Sequence, residues 1–77
     1  MNLKLYSIFD RVTGLYGEPF AAVNENAAIR RFDYLMKNAA MVSADCALFY
    51  VGDFDTDTCV ITADLPKFVK NFEVEHE

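Results

Sequence analysis

The sequence is poor in the residues that catalysis and covalent cross-linking use. It has no tryptophan, one histidine (His76), three glycines and two cysteines, Cys46 and Cys59. A lone histidine near the chain end has no partner base or nucleophile, and three scattered glycines form no phosphate-binding loop. Two cysteines outside a Cys-x-x-Cys pair are too few for a disulfide framework. We therefore expect free thiols in a non-enzymatic protein with no catalytic residues, no cofactor and no metal.

Long apolar runs and a basic charge balance are also missing. No stretch approaches the roughly 20 apolar residues that cross a bilayer, and residues 1–6 lack the features of a signal peptide. We thus expect no membrane partner. The chain has 7 basic and 12 acidic residues, a net charge of −5. This sign argues against broad, non-specific binding to nucleic acid phosphates.

Apolar residues are what the chain has in quantity. Of its 77 residues, 53% are hydrophobic and 14% aromatic. That content excludes a disordered chain, because it supplies the surface whose burial offsets the entropy of ordering. The length suits a single domain over residues 1–77, with residues 66–77 as a C-terminal appendage.

The pattern before residue 40 predicts two strands and a helix. Residues 3–10 alternate with the period of a β-strand, and residues 18–23 follow as its antiparallel partner after a short loop. Asn24 is a favourable N-cap for a helix from Glu25 to Ala39. The apolar residues of this segment recur with the period of one helix face: Ala28, Ile29, Phe32, Leu35, Met36 and Ala39.

The rest of the chain predicts a second hairpin. Residues 46–52 form a continuous apolar run that is typical of a central strand, and residues 58–62 return as its partner. Pro66 then interrupts the pattern. Residues 68–74 fit either a helical turn or, as we prefer, an extended edge segment. The expected fold is α+β: a single antiparallel sheet, β-β-α-β-β plus the C-terminal segment, with one helix packed on one face.

Four aspartates, Asp53, Asp55, Asp57 and Asp64, have the spacing of ligands in a calcium-binding loop. However, Thr58 occupies the position where such a loop needs glycine for its sharp turn, and the flanks read as strands. A hairpin tip with turn-forming aspartates is the better interpretation.

Two groups of residues are candidates for binding. A local basic patch and several tyrosine rings would contact the phosphates and bases of single-stranded DNA. Alternatively, the tyrosines close the core and the helix charges pair with one another. The candidate nucleic-acid-binding residues are Arg11, Arg30, Arg31, Tyr6, Tyr16 and Tyr50.

One face of the sheet is predicted to lack a cover. Tyr6 and Ile8 point to the side opposite Leu3, Leu5 and Phe9, and one helix covers only one face. An exposed aromatic face on so small a chain indicates an interface, and self-association is its commonest use. We therefore expect a homodimer or higher oligomer that pairs through Tyr6 and Ile8 or through an adjacent strand edge.

Four blocks with a defined order and spacing lie at residues 5–11 (LYSIFDR), 16–20 (YGEPF), 24–32 (Asn24, Ala28-Ile29-Arg30, Phe32) and 52–55 (GDFD). Together they resemble the small nonstructural protein of gokushoviruses, which are single-stranded-DNA bacteriophages of the microvirus family. The resemblance covers most of residues 3–58. Where it leads us to expect a glycine in the turn after Asp55, this chain has Thr58 and Cys59.

The resemblance implies a nonstructural protein that is made in the host bacterial cytoplasm, is absent from the mature virion and assists viral DNA replication. We expect an oligomer that binds single-stranded DNA weakly. The alternative is a protein–protein interaction module that docks on a phage or host replication factor without touching DNA. One continuous patch of Arg11, Arg30 and Arg31 would favour DNA, whereas pairing with Asp10, Glu18 or Asp33 would favour the alternative.

Overall fold

The computed structural model describes residues 1–73, and in this range the predicted α+β fold is confirmed. One antiparallel sheet of five strands carries one α-helix. The elements are β1 (Asn2–Asp10), β2 (Leu15–Tyr16), β3 (Phe20–Ala22), α1 (Glu25–Lys37), β4 (Cys46–Asp55) and β5 (Ile61–Asn71). A short 3-10 helix, Ser43–Asp45, leads into β4.

The two long strands β1 and β4 form the centre of the sheet. They pair along nine residue positions, and β5 pairs with the other side of β4. On the far side of β1, β2 and β3 pair with its two halves in succession, so that together they make up one edge. The sheet order is therefore β2 or β3, then β1, β4 and β5.

The predicted second strand, residues 18–23, is shorter than expected and is preceded by a separate two-residue strand. Pro19 lies between β2 and β3, where the absence of its amide hydrogen breaks no ladder bond. The loop is held to β1 by two hydrogen bonds. The Gly17 amide donates to the Ile8 carbonyl at 2.8 Å, and the Ser7 hydroxyl donates to the Gly17 carbonyl at 2.7 Å.

One long strand, β5, contains the last two residues of the predicted hairpin partner, residues 58–62, and the first four of the predicted edge segment, residues 68–74. Residues 58–60 lie in the turn between β4 and β5. Pro66 does not end this strand. The pairing passes from Gly52↔Ala63 directly to Tyr50↔Lys67, so residues 64–66 bulge out opposite a single β4 residue. Proline is tolerated there because β5 is an edge strand and a bulge needs no ladder donor. Val74 lies outside the described residues.

The helix begins as predicted and ends two residues early. The Asn24 side-chain oxygen accepts a hydrogen bond from the Ala27 amide at 2.8 Å, which satisfies one of the orphan donors of the first turn. At the other end, the Asn38 side chain donates to the Tyr34 carbonyl at 2.9 Å. The Ala39 amide bonds to Met36 three residues back, a tighter turn that closes the helix before Ala39.

The core lies between α1 and one face of the sheet. Phe32 and Leu48 have no exposed surface, and Tyr6 is 1% exposed. The buried residues of this cluster are Tyr6, Ala28, Phe32, Met36, Cys46 and Leu48, with Ile8 packed against them. In residues 1–73, no helix is both long and apolar enough to cross a membrane.

The prediction that the face bearing Tyr6 and Ile8 is uncovered is wrong, because α1 packs on that face. The open face is the one that carries Leu3, Leu5 and Phe9. Strand periodicity divides the residues of β1 correctly between two faces, but both sets are apolar. The pattern alone therefore could not say which set the helix covers.

Candidate binding surfaces

The three candidate tyrosines lie in three different environments. Tyr6 is buried beneath α1, and its burial raises the pKa of its hydroxyl. Tyr50 meets Tyr6 edge to face, with ring centroids 5.8 Å apart, and lies between the ammonium groups of Lys4 and Lys67 at 5.4 and 5.8 Å. Tyr16 is on the opposite face of the sheet, next to Phe9. The tyrosines therefore do not form one stacking platform, and Tyr6 is inaccessible to a base.

An aromatic cluster crosses the open face of the sheet, made of Phe9, Tyr16, Phe49 and Phe68. The centroid of Tyr16 lies 4.6 Å from that of Phe9 and 5.4 Å from that of Phe49. Phe49 in turn meets Phe9 at 5.9 Å and Phe68 at 5.8 Å. The cluster thus spans β2, β1, β4 and β5, while Tyr16 remains 46% and Phe68 58% exposed. We call these four residues the open-face cluster.

The central strands place no charged side chain on the open face. In the strand register, Lys4 lies opposite Asp53, and Asp10 lies opposite Cys46. Because these positions alternate with the open-face residues of β1, their charged side chains lie on the helix side of the sheet. Small residues fill the spaces beside the rings: the Ser7 hydroxyl is satisfied by Gly17, and Ala47 is buried. The positions on the open face are Leu3, Leu5, Ser7 and Phe9 on β1 and Ala47, Phe49 and Phe54 on β4.

Sequence reasoning missed the open-face cluster as a unit. The sequence pattern predicts Phe9 and Phe49 as strand residues, and it groups Tyr16 with Tyr6 and Tyr50 rather than with these phenylalanines. The signal in the sequence was that both faces of β1 and β4 are apolar. One helix covers only one face, so apolar residues on the other face indicate a second contact surface. Phe68 joins the cluster through the Phe49↔Phe68 pairing, which depends on bulges that no local pattern predicts.

The three candidate arginines lie in different surroundings rather than in one continuous patch. Arg11 follows β1, where its side chain donates to Asn71 at the end of β5. Arg31 lies over the ring of Phe20, with its guanidinium carbon 4.9 Å from the centroid, and Arg30 is exposed. Within residues 1–73, none of these arginines has a carboxylate within 4.0 Å, so the predicted acidic pairing is not seen either.

The outer side of α1 is rich in cations. Its acidic residue Asp33 is held by the Lys70 ammonium of β5 at 3.3 Å, rather than by a neighbouring helix residue. Arg30, Tyr34 and Lys37 border one shallow hollow on this side, which Asp33 also lines. Together with Arg31, these cations make the helix a local positive region on an acidic protein, which we call the basic helix side (Arg30, Arg31 and Lys37).

Four aspartates, Asp53, Asp55, Asp57 and Asp64, lie in or next to the hairpin that joins β4 and β5. The Asp55 carboxylate accepts a hydrogen bond from the Asp57 amide at 2.8 Å, which holds its pKa below the usual 3.8. Asp57 pairs with the N-terminal ammonium of Met1 at 3.1 Å, and Asp64 pairs with Lys67 at 3.0 Å. This geometry matches the predicted hairpin tip with turn-forming aspartates.

The two thiols lie in different environments, one buried and one exposed, and they cannot act as a pair. Cys46 is buried beneath the helix, its Sγ donates to the Val42 carbonyl at 3.4 Å, and burial raises the pKa of the thiol. Cys59 is exposed in the β4–β5 turn. Both are free, as expected. His76, the chain's histidine, lies outside the described residues.

Comparison with known families gives one finding that bears on these surfaces. A family model described as Phage ORF5 protein matches residues 3–74, which is nearly the whole chain. The matched range includes the open-face cluster, the basic helix side and the acidic hairpin. Neither the curated proteins nor the solved structures yield a match.

Proposed function

Because the chain belongs to the Phage ORF5 protein family, we propose that it is a nonstructural phage protein that assists replication of viral single-stranded DNA. It acts without catalysis in the host bacterial cytoplasm and is absent from the mature virion. The family supports its phage association, and the resemblance to gokushoviruses supports a single-stranded-DNA phage.

The basic helix side is the surface proposed to contact DNA. The observation that carries this proposal is the ion pair between Lys70 and Asp33, which neutralises the carboxylate that lies in the same hollow as Arg30 and Lys37. Cations on one helix side attract phosphates at short range even when the net charge is unfavourable. Tyr34, 68% exposed beside Arg30, offers the ring for base stacking that buried Tyr6 does not.

Binding through this surface is weak and sensitive to salt. At a net charge of −5, attraction acts only within about 10 Å at about 0.1 M salt. Each neutralised phosphate of a single strand contributes about −0.7 to the logarithmic salt slope. Contact with two to four phosphates therefore corresponds to a slope between about −1 and −3.

A fluorescence-anisotropy titration with labelled single-stranded DNA, at about 20 mM and about 100 mM salt, tests the proposal. The double variant Arg30→Glu and Arg31→Glu should lose binding at the lower salt. The matched control is Lys4→Glu with Lys67→Glu, which changes the net charge equally but on the sheet beside Tyr50. It should retain most of the affinity.

Binding that survives reversal of both arginines would rule out the basic helix side. Equal losses in the two double variants would mean that only net charge matters. If wild-type protein fails to bind at about 20 mM salt, where screening is weak, the DNA proposal fails. The second candidate function, a protein-docking module that never touches DNA, would then be preferred. It is favoured independently by the open face, because interface cores are poor in charge and rich in aromatic residues.

A further inference from the structure

We propose that the open face of the sheet is a homodimer interface, on which two copies of this chain pack face to face about a two-fold axis. The inference starts from the open-face cluster, Phe9, Tyr16, Phe49 and Phe68. Antiparallel sheets that face water normally carry polar side chains on that face. Here rings from four strands form a continuous surface, and two of the rings are about half exposed. The proposal does not depend on DNA binding.

Charge identifies a second copy as the occupant. In a two-fold contact each surface meets itself, so any charge near the axis meets a like charge. The open face avoids this penalty because the charges of β1 and β4, such as Lys4 and Asp53, lie on the helix side. A chain with a net charge of −5 can therefore approach its own copy through this face without direct repulsion between side chains of the two central strands.

The sheet edges are poor alternatives for pairing. On one edge, β2 and β3 are two and three residues long and are separated by Pro19. On the other edge, β5 is interrupted by the bulge at residues 64–66, where Pro66 lacks a donor. Bulges, proline and short strands are the devices that prevent edge-to-edge association. The face remains as the extended surface that is available for pairing.

The area is sufficient for a specific dimer. β1 has nine residues, and the sheet is four strands wide. At about 3.4 Å per residue and about 4.8 Å per strand, the open face measures about 30 by 19 Å. Two such faces bury on the order of 1,000 Å², which reaches the lower bound for specific interfaces. Sheets stacked in this way lie about 10 Å apart, a distance that aromatic side chains fill.

Sedimentation equilibrium of the full chain tests the dimer. Wild-type protein at micromolar concentration should have twice the 8.7 kDa chain mass. Tyr16→Asp and Phe68→Asp, each at an exposed position of the open-face cluster, should weaken the dimer at least about tenfold by bringing like charges together. Tyr34→Asp is the matched control, because Tyr34 is 68% exposed on α1, and it should leave the mass unchanged.

A wild-type mass of one chain would overturn the proposal and leave the face for a different protein. A dimer that persists in both acid variants, or that is lost equally in Tyr34→Asp, would also overturn it. An NMR dilution series on wild-type protein tests the dimer interface without variants, so the test still holds if a variant fails to fold. The amide shifts that change on dilution should belong to Phe9, Tyr16, Phe49 and Phe68, and changes confined to α1 would contradict the proposal.

Discussion

Gly52 on β4 must be glycine because the backbone of β5 packs directly against it. Its φ is +156°, and a Cβ built at this position would lie 2.4 Å from the backbone carbonyl oxygen of Thr62 on β5. No side chain fits so close to a backbone atom without moving the strand. Gly52 therefore permits the irregular pairing of β4 and β5, and it belongs to one of the sequence blocks, residues 52–55, that resemble the gokushovirus protein.

Gly52→Ala should lower the free energy of unfolding by at least about 2 kcal/mol, because the methyl group forces β4 and β5 apart. Gly17→Ala is the matched control, since its Cβ would make only an ordinary contact of 3.5 Å with the Ile8 carbonyl. This control should stay within about 0.5 kcal/mol of wild type. Urea denaturation measures both values, and equal stabilities of the two variants would contradict the steric account.

Cys59 explains the departure from the expected turn sequence. Its φ of +63° lies in the left-handed region, where glycine is the usual residue, and its amide donates to the Asp55 carbonyl at 2.8 Å. The turn therefore has the shape that a glycine would adopt. A side chain in this conformation costs about 1 kcal/mol, so the hairpin retains its geometry at a modest loss of stability.

At the scale of elements, helix α1 depends on a few buried contacts. Phe32 is fully buried and meets Phe72 edge to face, with centroids 6.2 Å apart. Phe32→Ala should therefore cost about 3–5 kcal/mol, a large share of the stability of a small domain. Tyr34→Ala, on the exposed side of the same helix, should cost less than about 1 kcal/mol. Thermal unfolding followed by circular dichroism measures both, and a wild-type melting temperature for Phe32→Ala would contradict this core assignment.

The β4–β5 hairpin should make stability depend on pH in the acidic range. The hydrogen bond from the Asp57 amide favours the Asp55 carboxylate in the folded state, so the pKa is lower folded than unfolded. Its contribution is therefore present above the unfolded value, near 3.8, and disappears as pH falls through the lower folded value. Asp64 adds to this trend, because its hydrogen bond with Lys67 lowers its pKa in the same direction.

Asp55→Asn should reduce the loss of stability between about pH 5 and pH 3, since an amide oxygen still accepts the hydrogen bond but does not titrate. Glu18→Gln, an exposed loop substitution, should retain the wild-type acid dependence. Chemical denaturation at several pH values makes the comparison. Identical acid dependence in wild type and Asp55→Asn would show that this carboxylate does not contribute.

At the scale of the whole molecule, the basic helix side and the acidic turn between β4 and β5 lie in different parts of an elongated molecule. The principal extents are 45 × 24 × 17 Å, and the radius of gyration is 12.9 Å, compared with about 11.5 Å for a compact chain of this length. The acidic turn follows Asp55, which lies five residues beyond Tyr50 on β4, about 17 Å along the strand. The net charge of −5 is therefore not the local charge of either the acidic turn or the basic helix side, and the basic helix side remains locally positive.

The two proposals fit one assembly. Dimerisation through the open faces would leave both α1 helices on the outside, because the helix and the open face lie on opposite sides of the sheet. The basic helix sides would then point away from each other, so a dimer could hold two segments of single-stranded DNA. Each proposal stands on its own surface, and each can fail without the other.

The sequence by itself determined the α+β class, the helix start at Asn24 and the central apolar strand, because these follow from local capping and from periods of 3.6 and 2 residues. The tertiary structure decided which apolar face of β1 the helix covers, and so turned Tyr6 from a predicted surface residue into core. It also joined the final segments into β5 and brought Phe68 beside Phe49. These features depend on pairing between distant residues, on a bulge and on the close approach at Gly52, and contacts across the chain leave no local pattern.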